Sequence, residues 1–123
     1  MIARSFASCH CGTVRISFVM VDGLEGLHRC DCSLCRRKYP GAVSGLVQDL
    51  KVEQGAEHLG LYQFGTMTAR HQFCKICGVH VFHQRRSDPR EIGVNVGCVE
   101  GLDPRVAERA SWVDGVVHPS DAV

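Results

Sequence analysis

No stretch of this chain is long and apolar enough to cross a bilayer. Its first eleven residues break up their apolar positions with Arg4, Ser5, Ser8 and His10. A membrane span and a secretory leader are therefore not expected, and the sequence predicts a cytoplasmic, reducing setting. An excess of charge is missing too. Fourteen Lys and Arg stand against thirteen Asp and Glu, a formal net charge of +1. That balance gives no electrostatic ground for nucleic-acid or membrane partners. Aromatics are sparse, and one Trp and two Tyr offer little surface on which bases could stack. Strict internal repeats, low-complexity runs and heptads are all lacking, which removes solenoids and coiled coils.

Cysteine, by contrast, is abundant, with eight in 123 residues. In a small secreted chain that number would suggest four disulfides, but in a reducing compartment it points to metal or redox chemistry. The spacing favours metal. The chain reads Cys9-His10-Cys11, then Cys30-Asp31-Cys32-Ser33-Leu34-Cys35, then Cys74-Lys75-Ile76-Cys77, with Cys98 alone. Residues so close in sequence suit chelation better than cross-linking, and zinc is the expected cofactor. Gly12 and Gly78 each follow the second cysteine of a pair. A turn that aims N–H groups at sulfur often needs positive φ at that place.

Elsewhere the pattern is that of short strands in a mainly β, single-domain fold with little helix. Thr13 to Val19 alternates, with Val14, Ile16 and Phe18 on one face. Leu27 to Cys30, Ala42 to Val47 and Lys51 to Glu53 read as extended. Leu61 to Phe64 and Thr68 to Phe73 read as a hairpin about Gly65-Thr66-Met67, followed by a strand at Val79 to His83. Glu91 to Val99 reads as one strand burying Ile92, Val94, Val96 and Cys98. Helix is limited to a turn over Arg36 to Lys38, capped by Ser33 and stopped by Pro40, and another near Pro104 to Arg109. The tail from Ser111 offers Trp112 as an anchor.

Structural zinc takes four protein ligands, whereas catalytic zinc keeps three and leaves a position open. Cys9, Cys11, Cys74 and Cys77 supply a closed site tying the N-terminus to the middle of the chain. Cys30, Cys32 and Cys35 supply a three-sulfur set with nothing adjacent to complete it. Two zinc ions per chain follow, one structural and one catalytic and labile. A histidine or Cys98 completing the second set, so that both are structural, stays open. Cys98 shares a face with three aliphatic residues and is expected to pack in the core. His28, His71, His80 and His83 lie near the cysteines in sequence, and each alone reads as a solvated or core histidine. If an external thiolate fills the open position, that site reaches a charge of −2 and needs cations nearby. Arg36 and Arg37 follow Cys35 directly and are the candidates for that support. A sulfur-rich zinc acidifies water weakly but suits holding a thiol as thiolate, so thiol addition or elimination is the chemistry expected.

These three cysteine motifs in this order resemble the glutathione-dependent formaldehyde-activating enzyme family, which also includes centromere protein V. The likeness continues through Tyr62-Gln63-Phe64-Gly65, His83-Gln84-Arg85-Arg86-Ser87 and Gly93-Val94-Asn95-Val96, covering about residues 6–104 and leaving 105–123 as a short C-terminal arm. Asp31 stands where members commonly carry histidine. The resemblance implies a tent-like β fold and the same division of cysteines, Cys9, Cys11, Cys74 and Cys77 structural, Cys30, Cys32 and Cys35 catalytic. It implies a carbon–sulfur lyase that joins a small thiol, glutathione or similar, to an aldehyde, as in the synthesis of S-hydroxymethylglutathione from formaldehyde. Arg36, Arg37, Arg85 or Arg86 would hold the thiol's carboxylates, and His71 and His83 are candidate bases. The competing readings are a non-catalytic zinc-binding module and a zinc or thiol sensor.

Overall fold

The computed structural model of the protein describes residues 3–38, 41–113 and 116. The fold is mainly β with little helix. The strands are β1 (Ser5–Ser8), β2 (Arg15–Phe18), β3 (His28–Cys30), β4 (Gly41–Leu46), β5 (Lys51–Gln54), β6 (Leu59–Tyr62), β7 (Arg70–Cys74), β8 (His80–Gln84), β9 (Glu91–Asn95) and β10 (Ser111–Val113). One helical turn, α1 (Cys35–Lys38), follows β3. Among the described residues no helix is long and apolar enough to cross a membrane.

Two sheets form. The smaller has the order β1-β2-β5 and is antiparallel. The larger has the order β10-β3-β4-β9-β8-β7-β6, antiparallel except where β10 lies parallel to β3. The alternation in residues 13–19 does what it predicts, because Val14, Ile16 and Phe18 are wholly buried. They meet Val43, Val81, Phe82, Ile92 and Val94 of the larger sheet, and Val96 just beyond β9, in one core. Ser17, on the other face of β2, is buried as well, and its hydroxyl is satisfied by Arg4 and Glu53.

Several expected boundaries shift for identifiable reasons. The strand predicted over residues 91–99 stops at Asn95. The amide oxygen of Asn95 accepts from the N–H of Gly97 at 3.1 Å and its nitrogen donates to the carbonyl of His80 at 2.8 Å. This side-chain competition turns Val96–Cys98 into a 3-10 turn, although Val96 and Cys98 remain buried. The hairpin strand predicted at Leu61 begins at Leu59 and ends at Tyr62, and Gln63 instead closes the loop by donating to the carbonyl of Met67. The helical turn is present, but the N–H of Cys35 donates to Sγ of Cys32 at 3.3 Å, so sulfur occupies the place expected of the Ser33 hydroxyl. Pro40 lies outside the described residues. The turn at Pro104–Arg109 is a 3-10 turn capped by Asp103. Strands β1 and β10 were not expected. Trp112 is not an anchor, since it is 54% exposed. It is covered by Arg29, whose guanidinium lies 4.6 Å from the ring centroid and donates to the carbonyl of Ala110.

Candidate metal centres and the pocket beside them

Cys9 and Cys11 sit in the turn between β1 and β2, while Cys74 closes β7 and Cys77 lies in the turn after it. The four sulfurs lie within 4.8 Å of one another. The separation is 3.6 Å between Cys9 and Cys11 and 3.8 Å between Cys11 and Cys74. A tetrahedron with Zn–S legs of about 2.3 Å has edges of about 3.8 Å, so these two separations match those of a zinc site. Backbone N–H groups also face the sulfurs, from Val14 to Cys9 at 3.3 Å and from Ile76 to Cys74 at 3.4 Å. The turns that aim them use left-handed glycines, with φ of 80° at Gly12 and 78° at Gly78. Burial raises the thiol pKa of Cys9, whereas a backbone hydrogen bond is the main cause holding Cys77 down to about 6.

Cys30 ends β3, Cys32 lies in the loop and Cys35 begins α1, and their sulfurs form a second group within 4.8 Å. Hydrogen bonds with Cys30 and Cys35 hold the Cys32 thiol far below its ordinary pKa, while contact with Cys32 pushes Cys30 up and contacts with Cys30 and then Cys32 push Cys35 up. Among the described residues this group has no fourth member. Cys98 belongs to neither set. It is buried, with its thiol pushed up to about 11 by desolvation, and its sulfur faces the carbonyl of His80 at 3.5 Å.

The three sulfurs line a cavity of about 290 Å³. Its walls include Lys38 from α1, Phe64, His71 and His83 from the β6–β8 region, Arg85 and Arg86 beyond β8, and Val113 of β10. Residues four strands apart in the sheet order thus meet around one hollow, so the larger sheet is curved. Among the described residues that line it none is acidic. Arg85 is fixed in place, donating to Glu91 at 3.1 Å and to the hydroxyl of Ser44 at 2.9 Å.

The cysteines grouped by their spacing also group in space, and of the four arginines considered from the sequence Arg85 and Arg86 line the cavity. Arg36 and Arg37 are exposed and do not line the cavity, and Arg37 donates to the carbonyl of Ser33. Lys38 takes their place. It stands three residues after buried Cys35, and that spacing returns to the same helical face, a signal present in the sequence. Histidines considered one at a time from the sequence also gather in space. His71, His80 and His83 form a third group whose ring nitrogens lie within 4.8 Å of one another. Burial lowers His71 to about 4 and His80 to about 2, and pushes His83 well below the usual value, so all three are neutral at physiological pH.

The glutathione-dependent formaldehyde-activating enzyme family profile matches residues 4–114. A Halomonas elongata protein, provisionally named as such an enzyme, is 37% identical, the match covering 83% of this chain and 69% of that protein. A crystal structure of a Rhodobacter sphaeroides protein superposes with a TM-score of 0.83 at 48% identity, covering 88% of this chain and 99% of that one.

Proposed function

The chain belongs to the glutathione-dependent formaldehyde-activating enzyme family, and from that premise we propose that it is a zinc-dependent carbon–sulfur lyase adding a small thiol to an aldehyde. In this reading Cys9, Cys11, Cys74 and Cys77 hold a structural zinc, and Cys30, Cys32 and Cys35 hold a catalytic one, two ions per chain. The observation that carries it is the three-sulfur group opening into a cavity walled by Lys38, Arg85 and Arg86. Zinc bound there would supply a position at which an incoming thiol is held as thiolate.

The protein's own residues do the rest. Lys38 and Arg86 receive the carboxylates of a glutathione-like thiol, and Arg85, braced by Glu91 and Ser44, fixes the wall behind them. Phe64, stacked on His71 with ring centroids 5.8 Å apart, keeps that side of the cavity apolar and limits water. The bond formed joins sulfur to the aldehyde carbon, the carbonyl π pair moves to oxygen, and the proton lost by the thiol ends on that oxygen. The eight cysteines, free of disulfides, suit the reducing cytoplasm.

The test is exchange spectroscopy of glutathione with 13C-formaldehyde. Catalysis appears as faster formation of the S-hydroxymethyl adduct than in buffer, lost in Cys32→Ser and weakened in Lys38→Ala. No acceleration with glutathione, cysteine or other small thiols would remove the lyase reading.

A further inference from the structure

His71, His80 and His83 converge although strand alternation alone would part them. His71 on β7 pairs with His83 on β8. His80 lies three residues before His83 and would point to the opposite face of a regular strand. Between Gln72 and Phe73, however, the register slips, so that Phe73 pairs with His80 rather than with Val81. This bulge turns His80 toward the other two rings. The centroids lie 5.2 Å apart for His71 and His83, 5.7 Å for His71 and His80, and 6.0 Å for His80 and His83. Imidazoles bound to one ion at about 2.0–2.1 Å would hold their centroids roughly 5–5.5 Å apart.

A second observation points the same way. Nδ1 of His71, Nδ1 of His83 and both ring nitrogens of His80 are buried without a hydrogen-bond partner, and among the described residues every such side-chain atom belongs to this cluster. His71 itself is only 5% exposed. Buried polar atoms are nearly always satisfied, so this concentration marks an absent ligand. The place of the His83 ring depends on Gly93 opposite it, where a Cβ would lie 2.5 Å from the imidazole Cε1. We propose that His71, His80 and His83 form a third metal site, built of nitrogen donors alone, for a borderline divalent cation such as Zn²⁺, Co²⁺ or Ni²⁺. His71 and His83 line the cavity of the three cysteines, which gives the ion an entrance. The sulfur group remains separate, since no histidine nitrogen joins it.

The test is a Co²⁺ titration of the full chain after its cysteines have been filled with Zn²⁺, followed by visible absorption and by metal analysis after desalting. Wild-type protein should take up about one further equivalent, with ligand-field bands in the visible and no growth of sulfur-to-cobalt charge transfer. His80→Leu keeps the volume and removes two unpartnered nitrogens, so it should fold and lose that equivalent. Gly93→Ala keeps all three histidines but crowds His83, and should weaken uptake at least tenfold. Equal cobalt uptake by wild type and His80→Leu would overturn the proposal, as would uptake accompanied by rising charge transfer. The readout is a difference between variants, so it stands whether or not the cysteine centres perform thiol chemistry.

Discussion

Replacing Cys74 with serine and replacing Cys32 with serine should have very different costs. Cys74 is wholly buried, and its sulfur accepts from the N–H groups of Ile76 and Cys77 and lies 3.8 Å from Cys11, 63 residues earlier. An unfolded chain cannot gather these ligands, so metal bound there stabilises only the native state. Structural zinc is worth about 10–16 kcal/mol in zinc-finger peptides, against about 5–15 kcal/mol for the net stability of a domain. If losing one thiolate weakens zinc by about a thousandfold, the loss is about 4 kcal/mol, since each tenfold is about 1.4 kcal/mol. At roughly 4 °C per kcal/mol for a chain this size, the melting temperature should fall by roughly 15 °C. Cys30, Cys32 and Cys35 lie within one short segment, so the unfolded chain can bind the ion too, and the net stabilisation largely cancels. Cys32→Ser should therefore melt within about 5 °C of the parent. Thermal melts by circular dichroism in reducing, zinc-containing buffer decide it. Equal losses in the two variants would refute the division between a closed and an open centre.

Mild chelation should remove about one equivalent of zinc quickly while the circular dichroism persists, because a three-sulfur centre leaves a coordination position to an attacking ligand. Simultaneous loss of all metal would contradict this. In Co²⁺-substituted protein, glutathione should intensify the sulfur-to-cobalt band, and Lys38→Ala should weaken that response by about tenfold, as expected for losing one charge-assisted contact. Arg36→Ala and Arg37→Ala, on the exposed side of α1, should leave it unchanged. With the histidine group free of metal, the stability of the chain should also fall with acid. Burial lowers His71 from 6.5 to about 4, so the unfolded state binds more protons between those values. The contribution is complete above pH 6.5 and is lost as the pH falls toward 4, by up to about 1.4 kcal/mol per pH unit. Urea melts of His71→Phe should lack that part of the slope, and an identical slope in the variant would show that His71 does not cause it.

The cysteine clusters were legible because metal ligation is written in local spacing, and the pairs at Cys9/Cys11 and Cys74/Cys77 each carry a glycine where the turn needs one. The buried faces of β2 and β9 were legible for the same local reason. Less visible was whatever depends on a partner strand. β1 mixes Ser5 and Ser8 with its apolar residues, and β10 exposes all three of its residues, so neither shows an apolar alternation. The histidine group was hidden by the slip between β7 and β8, which no single-strand periodicity reveals. Of the cavity cations, Arg85 and Arg86 were named from the sequence, whereas Lys38 was passed over by counting neighbours along the chain instead of around the helix, where Cys35 and Lys38 share a face.

The parallel pairing of β10 with β3 has a consequence for synthesis. Roughly eighty residues separate the strand that carries Cys30 from the strand that closes its outer edge. At ~5–20 residues per second on the ribosome, β3 waits on the order of 4–16 s for that neighbour. Throughout that interval Cys30, Cys32 and Cys35 face the cell on an unfinished sheet edge, open to oxidants and to whichever soft metal arrives first. If this group holds a metal, its loading is set against a clock, and slow translation between β9 and β10 would lengthen the exposure without changing a single residue.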